Sequence, residues 1–182
     1  MRALFLVSIL YVFLFSSCSS CKDRQNTNDF DPFVWPNRET EIEDSSITNN
    51  SIVVIPFEIR SGVKYIPVKI NGGPTFDMIF DTGCSETLIS IKEAQYLEQA
   101  GLLSQDDYHG SAQYSIADGS IVENTVITLK ELIIGGKIRC VDVKATVSNN
   151  IQAPMLLGNE VFDRMPSFTI DNENQVVKFN LR

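Results

Sequence analysis

The 182-residue chain holds a single histidine, His109, and four cysteines. One imidazole and no clustered ligand spacing leave a transition-metal centre without a donor set, so neither a metal nor another cofactor is expected. Positive charge is also short: 15 Lys and Arg against 23 Asp and Glu give a net charge of −8. A chain of that balance lacks the electrostatic footprint of a nucleic-acid binder, and nucleic acid is excluded as a partner. Nor is there an apolar run of the roughly 20 residues that a membrane-spanning helix requires. The nearest approach is the almost unbroken stretch from Ala3 to Phe15. No internal repeat of solenoid length is present.

What the chain does have is concentrated in Ile79-Phe80-Asp81-Thr82-Gly83-Cys84-Ser85-Glu86-Thr87-Leu88-Ile89-Ser90. An apolar strand, Met78-Ile79-Phe80, runs directly into Asp81, and a Thr-Gly turn follows. A carboxylate on the last residue of such a strand is costly to desolvate, so it calls for partners and a task. Gly83 allows the backbone to fold back and aim amide N–H groups at it. That arrangement suits a group kept ionised in a dry place.

The flanking sequence reads as β-structure. Val53, Ile55, Phe57 and Ile59 alternate with Val54, Pro56, Glu58 and Arg60, which predicts a strand with one buried face. A returning strand covers Val63 to Ile70, Asn71-Gly72-Gly73 signals a hairpin, and Thr75 to Phe80 delivers Asp81. Ser90-Ile91-Lys92-Glu93 fits a capping box that opens a helix of about ten residues ending at Gly101. Ser111 to Ala117 and Ser120 to Leu129 flank a two-residue Asp118-Gly119 turn. Leu132 to Ile134, the Gly135-Gly136 turn and Lys137 to Val147 follow, with Val141, Val143, Ala145 and Val147 facing inward and Asp142, Lys144 and Thr146 outward. Asn159 to Met165 is a short helical stretch stopped by Pro166, and Phe168 to Leu181 makes a closing hairpin.

The Asp-Thr-Gly segment resembles the active-site loop of retropepsin-like aspartic proteases of the bacterial single-lobe type. Three other stretches resemble the family in the expected order: Tyr65-Ile66-Pro67-Val68-Lys69-Ile70-Asn71-Gly72, Ser115-Ile116-Ala117-Asp118-Gly119-Ser120 and Met155-Leu156-Leu157-Gly158-Asn159. The likeness covers roughly residues 51–182. It implies a mostly β fold, one lobe built as a closed, ψ-loop β-barrel with one or two short helices. By the same resemblance Asp81 is the catalytic carboxylate, with Thr82 and Gly83 supporting its loop. Leu156, Leu157 and Gly158 would cross beneath that loop as a dry floor, with Gly158 placed where a side chain would strike it. The hairpin carrying Ala117, Asp118 and Gly119 would be a flap over bound peptide, or simply another hairpin of a β-protein. Its tip, Ala-Asp-Gly-Ser, departs from the glycine-rich viral form. Asp118 reads as a turn residue.

One aspartate cannot perform this chemistry alone. Two adjacent carboxylates share a proton, one acting as base toward water while the other donates to the scissile carbonyl (aspartic proteases are the standard example). With one motif per chain, a homodimer acting on a peptide or protein substrate is implied. Two other classes stand beside this one. The first is a non-catalytic, lipid-anchored module that holds an extended peptide in the same cleft. The second is a glycosidase using Asp81 and Asp118, which the absence of an aromatic-rich cleft argues against.

Residues 1–17 have the form of an export signal: Arg2, an apolar run, then small residues. Phe15-Ser16-Ser17-Cys18 resembles the lipobox of bacterial lipoproteins, in which Cys18 would carry the lipid and hold the protein to a membrane on the exported side. An ordinary cleaved signal is the other reading. Residues 18–50 are polar and turn-rich apart from Phe30, Phe33 and Trp35, and read as a flexible tether, with docking or autoinhibition as the other uses. Cys84 reads as a small pocket-lining residue rather than a nucleophile, since no basic partner is near it in sequence. Whether it pairs with Cys140 is left open by spacing.

Overall fold

The structure, a computed structural model, describes residues 40–42 and 52–181. The expectations for residues 1–17, for Cys18 and for Phe30, Phe33 and Trp35 lie outside the described residues. Among the described residues, alternating apolar side chains and frequent turns give twelve strands, two α-helices and a single 3₁₀ turn. In chain order the elements are β1 (Thr40–Ile42), β2 (Ile52–Pro56), β3 (Glu58–Arg60), β4 (Val63–Ile70), β5 (Thr75–Phe80), β6 (Thr87–Ser90), α1 (Ile91–Gln99), β7 (Tyr108–Ser115), β8 (Ile121–Ile134), β9 (Ile138–Ser148), β10 (Leu156–Leu157), α2 (Asn159–Phe162), β11 (Ser167–Asp171) and β12 (Val176–Asn180).

Six of these strands close on themselves. β9 pairs β6, β6 pairs β10, β10 pairs β5, β5 pairs β4, β4 pairs β8, and β8 returns to β9. Closure removes the open edges that would otherwise invite aggregation. A second sheet, β11-β12-β2, packs its inner face of Val53, Ile55, Val177 and Phe179 into the same apolar core. This is the mostly β, closed-barrel fold that the resemblance implies.

Four local expectations need correction. Alternation puts Ile59 on a buried face, yet it is 46% exposed. The strand breaks at Phe57, where the chain leaves β12 and joins β4, so the inward parity resets. On β9 the inward set is Ile138 and Cys140, then Val143, Ala145 and Val147. The parity switch falls at Asp142, which has φ 49°, and leaves Val141 half-buried. The nearly buried Arg164 guanidinium donates to the carbonyls of Val141 (2.5 Å) and Asp142 (3.0 Å) at this kink and pairs with Glu160. The capping box of α1 is modified: the Ser90 hydroxyl accepts from Lys92 N–H, and Glu93 bonds that hydroxyl rather than the Ser90 amide. Finally, Thr40–Ile42, assigned to the tether, pairs antiparallel with Ile138–Cys140, so ordered pairing reaches back past residue 51. This part of β9 lies beyond the segment that β6 occupies, and its backbone groups are open to another strand.

The hairpin joining β7 and β8 also differs from expectation. Gly119 N–H donates to Ile116 O and Ile116 N–H to Ser120 O. The loop is therefore the three residues Ala117–Gly119, with Gly119 alone in the left-handed region at φ 84°. A type I turn followed by a left-handed glycine is the usual three-residue closure; a two-residue turn would require positive φ at Asp118 as well. The β8 strand continues from this tip for 14 residues, so one strand serves both the hairpin and the barrel.

Candidate active site

Asp81 leaves the end of β5 at the centre of this barrel wall. Its N–H donates to Leu157 O at 3.1 Å, and Leu157 pairs in parallel with Phe80. Below it, the Phe80 ring lies 4.3 Å from Phe162 and 5.4 Å from Phe168 between centroids. Aromatic pairs of this kind contribute about 0.5–1.5 kcal/mol each beyond their buried area, which fixes the strand end that carries the carboxylate. Gly83 N–H donates to Asp81 Oδ1 at 2.8 Å, the amide that the Thr-Gly turn was expected to supply.

The carboxylate is half-buried, and Thr82 and Gly83 beside it are exposed. The dry setting expected of Asp81 is therefore not made by one chain. Leu157 is fully buried, whereas Leu156 is half-exposed and forms a wall of the cleft instead of its floor.

β10 lies between β5 and β6, which brings Gly158 under the loop. A Cβ there would sit 2.6 Å from the Glu86 carbonyl carbon, nearer still to its oxygen, and 2.9 Å from Cys84 O. The next two amides, Asn159 N–H and Glu160 N–H, donate to Cys84 O and Ser85 O at 2.9 Å each. The first turn of α2 thereby uses donors that helices leave unsatisfied to hold the loop after Asp81. Asn159 Nδ2 adds a bond to Thr82 O.

The β7–β8 hairpin and the Asp81 loop wall a cavity of about 330 Å³. Asp81, Cys84, Tyr114, Ala117 and Leu156 line it, together with Glu86, Asn124 and Thr146. A second cavity, about 610 Å³, flanks the other side of Asp81 between Thr82, Lys64, Pro154 and Ile170. Asp81 and Leu156 belong to both. Of the hairpin residues proposed from sequence, Ala117 reaches the cavity. Asp118 and Gly119 stay at the exposed tip and do not line it. Asp118 accepts from Ser120 N–H, and hydrogen bonds from Ser120 hold its carboxyl below the usual carboxylate range.

Several residues with no assigned role meet here. Glu86 accepts from Tyr114 Oη at 2.8 Å through one oxygen and pairs with Lys144 Nζ at 2.9 Å through the other. Burial, then this bond and the Glu86 charge, push the Tyr114 phenol well above its ordinary range. Thr146, expected to point outward, is 3% exposed beneath the cavity. The partners stand 28 and 58 residues from Glu86, so no local pattern could have joined them.

Cys84 carries a free thiol and is therefore not bridged to the buried Cys140. It donates to Glu86 O at 2.9 Å. Burial pushes the thiol up, the bond to Glu86 pulls it back, and the Asp81 and Glu86 charges add to the rise. Each upward unit lowers the thiolate fraction roughly tenfold at neutral pH. Iodoacetamide at pH 8 is therefore expected to label Cys84 more slowly in the folded protein than in the urea-unfolded chain, with the rate midpoint moved to higher pH. Equal site-resolved rates by peptide mapping would contradict this.

Comparison with known proteins places this geometry. Residues 66–164, more than half of the chain, match the family described as "gag-polyprotein putative aspartyl protease". Among solved structures, a retropepsin-like aspartic protease from Rickettsia conorii matches with a TM-score of 0.54 at 22% identity, over 80% of this chain and 96% of that one. At that identity the likeness is one of fold. No curated protein matches the chain.

Proposed function

Because the chain belongs to the gag-polyprotein aspartyl protease family and has a retropepsin-like fold, we propose that it is an endopeptidase whose catalytic dyad forms between two identical chains. The observation that carries this reading is the position of Asp81: one carboxylate per chain, backed by its own loop amide, half-exposed beside an exposed Thr82-Gly83 turn and flanked by cavities on both sides. A two-fold axis through that turn would bring a second Asp81 against the first and supply the cover that a single chain lacks.

Two carboxylates held in contact cannot both ionise cheaply, so the pair holds one proton and titrates as a unit. The ionised member takes a proton from water as it attacks the peptide carbonyl, while the protonated member donates to the developing oxyanion. Thr82 would tie the two loops together, and the β7–β8 hairpin would close over the bound peptide. The cavities on either side of Asp81 would receive side chains flanking the cut bond.

The same proposal gives residues 1–17 the role of an export signal, residues 18–50 that of a tether, and Cys18 that of the lipid attachment site. The domain from 51 onward would then work on a membrane surface on the exported side.

The test is concentration. Specific activity on a peptide library should fall as the protein is diluted through the point at which ultracentrifugation shows the dimer dissociating. An excess of inactive Asp81→Asn chains should poison the wild type by forming mixed pairs. Specific activity that stays constant for chains shown to be monomeric would overturn the shared site.

A further inference from the structure

The floor of the 330 Å³ cavity is chemically unlike a plain apolar specificity pocket. Asn124, on β8, is 9% exposed and Thr146, on β9, is 3% exposed; both line this cavity. Neither side chain has a hydrogen-bond partner among the described residues. Buried amides and hydroxyls are normally satisfied, and leaving one unpaired is costly. Water serves them while the cavity is open, but a bound side chain that expels this water must take over its bonds.

Glu86 completes the set. Tyr114 and Lys144 each take one lone pair of its carboxylate, which leaves further acceptor capacity. Lys144 also balances its charge, so the floor presents acceptors without an uncompensated negative group. Leu88 and Leu156 supply apolar walls.

Resting on the peptidase reading above, we propose that this cavity selects a substrate side chain ending in a carboxamide, glutamine or asparagine. A carboxamide brings two N–H donors and one carbonyl acceptor on an apolar stem. The donors match Glu86 and the Asn124 carbonyl, and the acceptor matches the Asn124 amide and the Thr146 hydroxyl. An aliphatic side chain would strand Asn124 and Thr146. A cationic one would meet a carboxylate already paired with Lys144.

The experiment uses the full-length Asp81→Asn protein, which would bind without cutting. Fluorescence anisotropy would measure its affinity for peptides that carry Gln, Met, Lys or Glu in turn at each position around a cleavable bond. Gln is expected to bind at least about tenfold tighter than the near-isosteric Met at the position that seats in the cavity, since a site built to hydrogen-bond discriminates strongly against a ligand lacking those groups. Asn124→Leu and, separately, Thr146→Val should shrink that ratio, while kcat/KM of the corresponding active proteins falls for Gln peptides and rises for Met peptides, which no longer strand a polar group. The comparison within the Asp81→Asn protein depends on neither of these variants folding. Met binding as well as Gln at every position, or a preference for Lys, would overturn the carboxamide assignment and leave the peptidase reading intact. Failure to bind any peptide would overturn both.

Discussion

Asp81→Asn is expected to lower peptide cleavage by at least about 10⁴-fold, the scale seen when a catalytic group acting as part of a unit is removed. The substitution strikes both copies of the proposed dyad, since each chain supplies one. An amide can neither take a proton from water nor hold the shared proton that makes one carboxyl a donor. The fold should be unaffected, because asparagine Oδ1 can still accept from Gly83 N–H as Asp81 Oδ1 does. Among the described residues the half-exposed carboxylate forms no ion pair whose loss would strand a charge. Circular dichroism, thermal unfolding and ultracentrifugation should therefore match the wild type. Cleavage at wild-type rate would sink the mechanism. Retained peptide binding without cleavage in the wild type itself would instead favour the binding-module reading.

Gly158→Ala should be the most damaging small substitution in the domain. The added methyl would lie within van der Waals overlap of three backbone atoms, the Glu86 carbonyl pair and Cys84 O. None of these is the free end of a flexible side chain, so relief has to come from moving the loop that carries Asp81 or the strand that crosses beneath it. Moving either breaks the bonds from Asn159 and Glu160 N–H to Cys84 O and Ser85 O. Overpacking costs about 1–3 kcal/mol, and against rigid backbone the upper end applies, so a domain of this size would lose roughly 10 °C in Tm. Activity should fall further than stability predicts, because the surviving folded chains hold Asp81 out of register. A Tm within 2 °C of wild type, to take a rough threshold from the same scaling, would show that the loop adapts and that the crossing is not a constraint.

The parts of this architecture that were legible in the chain are those encoded locally. The strand into Asp81, the Thr-Gly turn and the Leu-Leu-Gly crossing each lie within a dozen contiguous residues, and the alternation of Val143, Ala145 and Val147 marks the buried face of the second half of β9. The failures share one cause, which is that a period of two identifies a face but not what covers it. Ile59 looked buried because alternation cannot register a strand changing sheets at Phe57. Thr146 looked solvent-facing because polar residues on an alternating strand are assigned outward, and a cleft is an interior surface that only tertiary structure creates. The resemblance makes Leu156 part of the floor, but it carries over a position and not the exposure of the side chain there. The Glu86–Tyr114–Lys144 group joins three strands or loops far apart in sequence and leaves no local trace.

The β11-β12-β2 sheet sets a timing rule for biosynthesis. β2 opens the continuous described domain, and its ladder partner is β12, with Ile52 opposite Asn180. A ribosome emits β2 long before β12, so Ile55 cannot be sealed against Val177 until β12 has emerged. A nascent chain must therefore keep one wall of its core uncovered until β12 emerges.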